Sequence, residues 1–314
     1  MEIVARKLRG HESDVYVCAW SPTNDTSLAS GSGDGSARMW DSSGTFMVTL
    51  RHCLIKDGIE VPSHKDVVAL DWHPTGNLLA TGSHDGHVRI WRTNCILQTT
   101  LEPHDTSIFV LKWSKCGNHI LTGGGQKTAM VFGCGLAVQR YLGVQEPIRR
   151  FTGHTGHVNA VRWCPQGELL SSGGDDRTLK IWNLSSDRCC RTLQGHSGDI
   201  TALAWSPTGD RTCNSKEKRI LASASLDSTV RLWDVDTGSC IRTLNEPRDR
   251  IFTVAFSPDG RHLASGSFDQ CIYIWSTQTG ELIHRYNAPG SIYEVCWNLN
   301  GIGKLRKNVS ILRN

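Results

Sequence analysis

Short runs in which apolar and polar residues alternate recur along the whole chain, as in Val88-Arg-Ile-Trp91, Leu179-Lys-Ile-Trp182, Val230-Arg-Leu-Trp233 and Ile272-Tyr-Ile-Trp275. A period of two is that of a β-strand with one face in a core, and helical periodicity is absent. Turns separate the runs: Cys164-Pro-Gln-Gly167, Ser206-Pro-Thr-Gly209 and Ser257-Pro-Asp-Gly260 place Pro second and Gly fourth, which suits a type I turn. The runs form a repeat. Six times an aspartate or its substitute stands six residues ahead of a tryptophan or its substitute: Asp34/Trp40, Asp85/Trp91, Gln126/Phe132, Asp176/Trp182, Asp227/Trp233 and Asp269/Trp275. A degraded seventh copy follows Trp297 and ends near Leu312. Units of four short strands repeated in this way predict an all-β fold, a β-propeller of seven repeats, and residues 1–314 count as one domain because repeats stack continuously. From the end of the first strand to the end of the third, five of the six repeats take 19 or 20 residues; the step from Trp205 to Trp233 takes 28, the excess lying in the hydrophilic stretch Asp210 to Arg219.

Composition narrows the function classes. The net charge is only +4 over 314 residues, with Lys and Arg spread among acids, so direct nucleic-acid binding gains little support. The single basic cluster is Lys304 to Arg313. The chain has neither a secretory apolar segment nor an apolar run of about 18 residues, and no export or membrane span is expected. Its twelve cysteines form no C-x-x-C pair, and the adjacent Cys189-Cys190 suit neither a zinc clamp nor an easy bridge. Reduced thiols, no metal and no cofactor are the expectation.

Two markers carry a resemblance. Gly10-His11, Gly153-His154 and Gly195-His196, with Trp40-Asp41 and Trp233-Asp234, resemble the WD-repeat family over essentially the whole chain. The resemblance implies a buried hydrogen-bonded tetrad in each complete repeat: His11/Ser30/Asp34/Trp40, His154/Ser172/Asp176/Trp182 and His196/Ser223/Asp227/Trp233. Physically, a buried indole N–H needs an acceptor and a buried carboxylate needs donors. A nucleophilic triad would occur once rather than at three equivalent positions, so no enzyme is expected. Ser63 holds the histidine slot of the second repeat with His64 one residue out of register, and Pro247 and Ala288 hold it in the last two; those blades are expected to be weaker. Ile3 to Leu8 are expected to close the ring against the last repeat. The resemblance also implies that the residues three and five past the histidine slot, with the residue before the turn aspartate, line one face. There it places Asp14, Tyr16, Asp66, Phe109, Asp175, Asp199, Phe252, Phe268 and Tyr293, a platform suited to a peptide carrying Lys or Arg and an apolar anchor.

A closer resemblance rests on Leu50-Arg-His-Cys53, Val61-Pro-Ser63, the long loop before Leu221-Ala-Ser-Ala-Ser225, Leu226 to Val235, and Ile292-Tyr-Glu-Val-Cys-Trp-Asn298, which look like the transducin β-like 1 family. That family implies a nuclear adaptor, present also in the cytoplasm, whose partners are corepressor subunits, histone deacetylase, histone tails and the ubiquitin machinery that exchanges corepressor for coactivator. The alternatives are a ubiquitin-ligase substrate receptor and a cytoplasmic scaffold. The family adds an N-terminal LisH-type helical module and an eighth blade. Only about ten residues precede the first repeat here and Gly133 to Gly153 is too short for a blade, so a monomer with seven blades is expected.

Overall fold

Alternation of side chains above and below each strand means that every run must bury one face against a neighbour, and the turns are too short for anything but antiparallel pairing. The computed structural model describes residues 8–23, 27–41, 44–56, 59–101, 104–134, 146–186, 188–207, 219–295 and 297. Among them lie six four-stranded sheets, each with its strands paired in chain order. The first comprises Val15–Trp20, Ser27–Ser32, Ser36–Asp41 and Phe46–Arg51, the second Val67–Trp72, Leu78–Ser83, Val88–Arg92 and Leu97–Leu101, and the third Ile108–Trp113, His119–Gly124, Thr128–Gly133 and Arg149–Thr152. The fourth comprises Val158–Trp163, Leu169–Gly174, Leu179–Asn183 and Cys189–Leu193, the fifth Ile200–Trp205, Ile220–Ser225, Val230–Asp234 and Ser239–Leu244, and the sixth Ile251–Phe256, His262–Ser267, Cys271–Ser276 and Leu282–Asn287. We call the strands of each sheet a to d and the sheets blades 1 to 6, because four-stranded antiparallel sheets repeated along the chain are the blades of a β-propeller. A two-stranded hairpin, Cys53–Lys56 with Ile59–Pro62, stands between blades 1 and 2. Of Ile3 to Leu8, expected to close the ring, all but Leu8 lie outside the described residues, as do most of the seventh repeat, the stretch 135–145 and the insertion Asp210 to Arg219 apart from Arg219.

Two compact units result. In the first, residues up to 126 with 130–148, apolar faces meet between successive blades: Met39, Leu50, Val67, Leu70, Trp72 and Trp91 between blades 1 and 2, and Ala80, Ile90, Ile108, Leu111, Trp113 and Phe132 between blades 2 and 3. In the second, residues 149 onward with 127–129, Leu179, Ile181, Leu203 and Trp233 join blades 4 and 5, and Leu232, Leu244, Val254, Tyr273 and Trp275 join blades 5 and 6. Ile292 and Val295, both buried, pack on Ile272 and Ile274, so this segment lies along blade 6. The d strands are the wet ones, as in Cys189–Leu193, where only Leu193 is buried.

The turn between strands b and c is left-handed in every blade. Gly35 and Gly86 occupy that position in blades 1 and 2, while Lys127, Arg177, Ser228 and Gln270 hold φ between 61° and 68° in the others. Glycine is required at Gly86, where a Cβ would come within 2.4 Å of the His104 carbonyl oxygen.

Candidate functional site

The frame beneath the site is a set of buried hydrogen bonds. In blade 4, Trp182 Nε1–H donates to Ser172 Oγ at 2.8 Å, Ser172 Oγ meets His154 Nε2 at 2.7 Å, and His154 Nδ1 meets Asp176 Oδ2 at 2.8 Å. Blade 1 places His11, Ser30, Asp34 and Trp40 in the same chain at 2.7 to 2.9 Å, and blade 5 places His196, Ser223, Asp227 and Trp233 in it at 2.7 to 2.8 Å. The residue two past each aspartate completes the set: Ser36, Thr178 and Thr229 donate both backbone N–H and hydroxyl to the second carboxylate oxygen. Burial would raise the pKa values of Asp34, Asp176 and Asp227, but these hydrogen bonds and the imidazole charge outweigh it, and all three carboxyls are held below the ordinary carboxylate range. Burial likewise pushes the His11 and His154 imidazoles below their ordinary value.

Blades 2 and 6, whose histidine slot is vacant, pair their acids by other means, and the repeat that follows Ala288 lies mostly outside the described residues. In blade 2, His52, only 1% exposed, reaches Thr81 Oγ1 with Nε2 at 2.8 Å, and Trp91 Nε1–H donates to the same hydroxyl at 2.8 Å. The acid is neutralised separately. Arg89, also 1% exposed, bridges Asp85 at 2.9 Å, touches His52 Nδ1 at 3.1 Å and donates to the Cys53 carbonyl, while Ser63 Oγ–H donates to Asp85 at 2.7 Å. Complete burial followed by the Arg89 charge pushes the His52 imidazole down to about 3. In blade 6, Tyr273 Oη–H donates to Asp269 Oδ2 at 2.6 Å and Trp275 Nε1–H to Ser265 Oγ at 3.0 Å. Where Gly-His is missing, a strand-c side chain or, in blade 2, His52 just past strand d fills its place, so the polar groups are satisfied by other means. Blade 3 is shorter: His104 meets Thr122 Oγ1 at 3.0 Å and Phe132, fully buried, has no N–H to satisfy.

The face is set by a feature common to all six blades. Strand a carries a β-bulge whose extra residue is Tyr16, Val68, Phe109, Asn159, Thr201 or Phe252. A bulged residue is released from the ladder and re-aimed. Beside it, the backbone N–H of the residue before the turn acid donates to the carbonyl of the residue three past the histidine slot: Gly33 to Asp14, His84 to Asp66, Gly125 to Ser107, Asp175 to His157, Leu226 to Asp199 and Phe268 to Arg250, all at 2.9 to 3.0 Å. Thus each blade brings its three face positions together.

In the first unit these side chains form a chain. The Tyr16 phenol lies near the Asp66 carboxylate, which is 3.7 Å from His84 Nδ1, and the His84 ring packs edge-on to Phe109 at 5.9 Å. Burial, then the charges of Asp66 and Asp14, raise the Tyr16 phenol above its ordinary value. In the second unit Asp175 accepts from Asn159 Nδ2 at 2.6 Å and lies 3.2 Å from His157 Nδ1. Burial, then the nearby Asp175 charge, raise the Asp199 carboxyl. Phe252 packs on Tyr293 at 5.0 Å and edge-on to Phe268 at 6.1 Å, with the Arg250 guanidinium 5.1 Å above the Phe268 ring. His84, His157, Asn159 and Arg250 are face residues whose part the sequence reading did not weigh; all four stood in the repeat positions that line it.

The model of the WD domain, G-beta repeat, matches residues 3–41, 57–92, 95–132, 145–183, 187–234 and 238–276. The chain is 47% identical to the F-box-like/WD repeat-containing protein TBL1X of Mus musculus over 335 residues, with 95% of this chain and 63% of that protein covered. It is 41% identical to the WD40 repeat-containing protein HOS15 of Arabidopsis thaliana over 346 residues, covering 94% and 55%, and 26% identical to a guanine nucleotide-binding protein subunit beta of Zea mays over 62% of this chain and 51% of that one. The chain therefore spans less than two thirds of the length of these relatives.

Proposed function

Because this chain belongs to the WD-repeat family, we propose that it is a non-enzymatic scaffold that docks a basic peptide on the bulge-lined face, acting as a nuclear adaptor in a histone-deacetylase corepressor complex. On this reading residues 1–314 work as one domain, the ligand is a histone tail, and the relatives' F-box-like name supports a link to ubiquitin-dependent corepressor exchange. The observation that carries the docking is the grouping of Tyr16, Asp66, His84 and Phe109 in the first unit and of Asp175 and Asp199 in the second. Carboxylates beside aromatic rings suit a lysine or arginine, whose charge pairs with the acid while its stem or a neighbouring apolar residue covers the ring.

A histone-tail peptide array probed with the full chain tests this. Binding is expected to weaken as salt rises, and Asp66→Lys is expected to weaken it by roughly fivefold to thirtyfold, equivalent to about 1–2 kcal/mol. Glu281→Lys, an equal charge change at an exposed turn, should leave it unchanged. Salt-independent binding, or equal loss in both variants, would place the peptide elsewhere.

A further inference from the structure

The aromatic part of the face in the second unit already carries a cation of its own. Arg250 lies in the position that Asp14, Asp66 and Asp199 occupy in blades 1, 2 and 5, its guanidinium 5.1 Å over Phe268 and its side chain 53% exposed. Its ion partner among the described residues is Asp249, met by Nε at 3.6 Å, a long contact that engages neither Nη group. A ring whose face is covered by a resident guanidinium is a poor seat for a second cation. The same guanidinium is a strong partner for a carboxylate, because its Nη–H groups match the two oxygens. Phe252, edge-on to Phe268, and Tyr293, tilted against Phe252, offer apolar surface next to that charge. One and two blades back, Asp199 and Asp175 present the opposite sign, and Thr201 Oγ1–H of blade 5 donates to the Ile251 carbonyl of blade 6.

We propose that Arg250 with Phe252, Phe268 and Tyr293 forms a subsite for a carboxylate adjoining an apolar side chain, so that this part of the face takes a dipolar peptide, its basic residue at Asp175 and Asp199 and its acid at Arg250. The inference rests on the peptide-binding reading above and sharpens it: a purely basic peptide satisfies half of this surface, and a peptide with Lys, an apolar residue and Glu satisfies all of it.

The test uses the full chain and fluorescein-labelled peptides in which one lysine, one leucine and one glutamate are separated by alanine spacers of varied length, with a matched set carrying glutamine for glutamate. Fluorescence anisotropy should show the best glutamate peptide binding about fivefold to tenfold tighter than its glutamine partner. Arg250→Gln should abolish that preference while binding of the glutamine peptide holds, and Asp199→Asn should weaken both sets alike. Equal affinities for the two sets, or a preference that persists in Arg250→Gln, overturn the carboxylate subsite and leave basic-peptide docking standing. Failure of both sets to bind, together with a silent histone-tail array, overturns the peptide reading of the face itself.

Discussion

At the scale of single residues the blades are held by groups that water would otherwise claim. Asp176 satisfies His154 Nδ1, the Thr155 N–H and both donors of Thr178. Removing it strands groups in a site where His154 is 6% exposed, at about 1–3 kcal/mol for each one left unsatisfied. Asp176→Ala is therefore expected to lose several kcal/mol in urea denaturation, whereas Asp105→Ala, at an exposed position, should stay within about 0.5 kcal/mol of wild type; equal stabilities would refute the buried role. The imidazoles give a pH signature. His11, His52 and His154 are held below the ordinary value near 6.5, His52 to about 3, so in that window the unfolded chain binds protons that the folded chain refuses. Stability then falls as the pH drops from about 6.5 toward 3. His87, raised chiefly by its bond to Asp85, works the other way, its contribution present at low pH and lost as pH rises through its folded value. His73 and His119, lowered by burial, side with the majority. The urea midpoint should thus be lower at about pH 5 than at pH 7, and an unchanged midpoint would contradict neutral buried imidazoles. The sequence reading reached the three complete tetrads because Gly-His and the turn aspartate keep fixed spacing. It missed Ser36, Thr178 and Thr229, since a hydroxyl two residues past an aspartate is ordinary turn chemistry and says nothing by itself about burial.

At the scale of the element, a blade without the histidine still pairs its acid because strand c carries a second side chain able to reach the same space. Arg89 and Tyr273 occupy that strand-c position in blades 2 and 6, and Lys180 occupies it in blade 4. Where Gly-His is present the long side chain lies outside it: a Cβ on Gly195 would come within 2.5 Å of Arg231 Nη1. Where it is absent the side chain turns in and meets the acid. Sequence spacing could locate the vacant slot at Ser63 but not what fills it, because the filler comes from a different strand and, for His52, from beyond the d strand. The two positions should differ sharply under the same substitution. Arg89→Met leaves Asp85, whose side chain is 4% exposed, without its countercharge and should cost about 3–5 kcal/mol. Lys180→Met breaks only an exposed bond to Thr192 and should stay within about 0.5 kcal/mol. Similar melting temperatures for these variants would show that Arg89 is not the replacement for the missing histidine.

At the scale of the whole molecule, the frame repeats while the face varies. Every described blade has the same bulge and the same strand-a contact, yet the bulged residue ranges from Tyr16 to Asn159 to Phe252. This is why the architecture was legible from spacing alone and a role for the face was not: the frame is dictated by buried groups that must find partners in every copy, whereas face residues are under no such constraint. Charge shows the same division: Asp14 and Asp66 in the first unit, and Asp175 and Asp199 in the second, stand at the varying positions in a chain whose net charge is +4. The reading of residues 1–314 as one domain has its own consequence. A blade cannot bury its apolar faces alone, and in each unit the core lies between successive sheets rather than within one. Loss of one blade therefore uncovers its neighbour, and nearest-neighbour coupling should carry unfolding from blade to blade. Native-state hydrogen exchange in rising urea tests this, read at Leu79 and Ala80 in the first unit and at Leu170 and Leu221 in the second, all 0–1% exposed. The opening free energies at these sites are expected to converge on one value with one urea dependence. Two separate isotherms, one for each unit, would show instead that the chain folds as two domains.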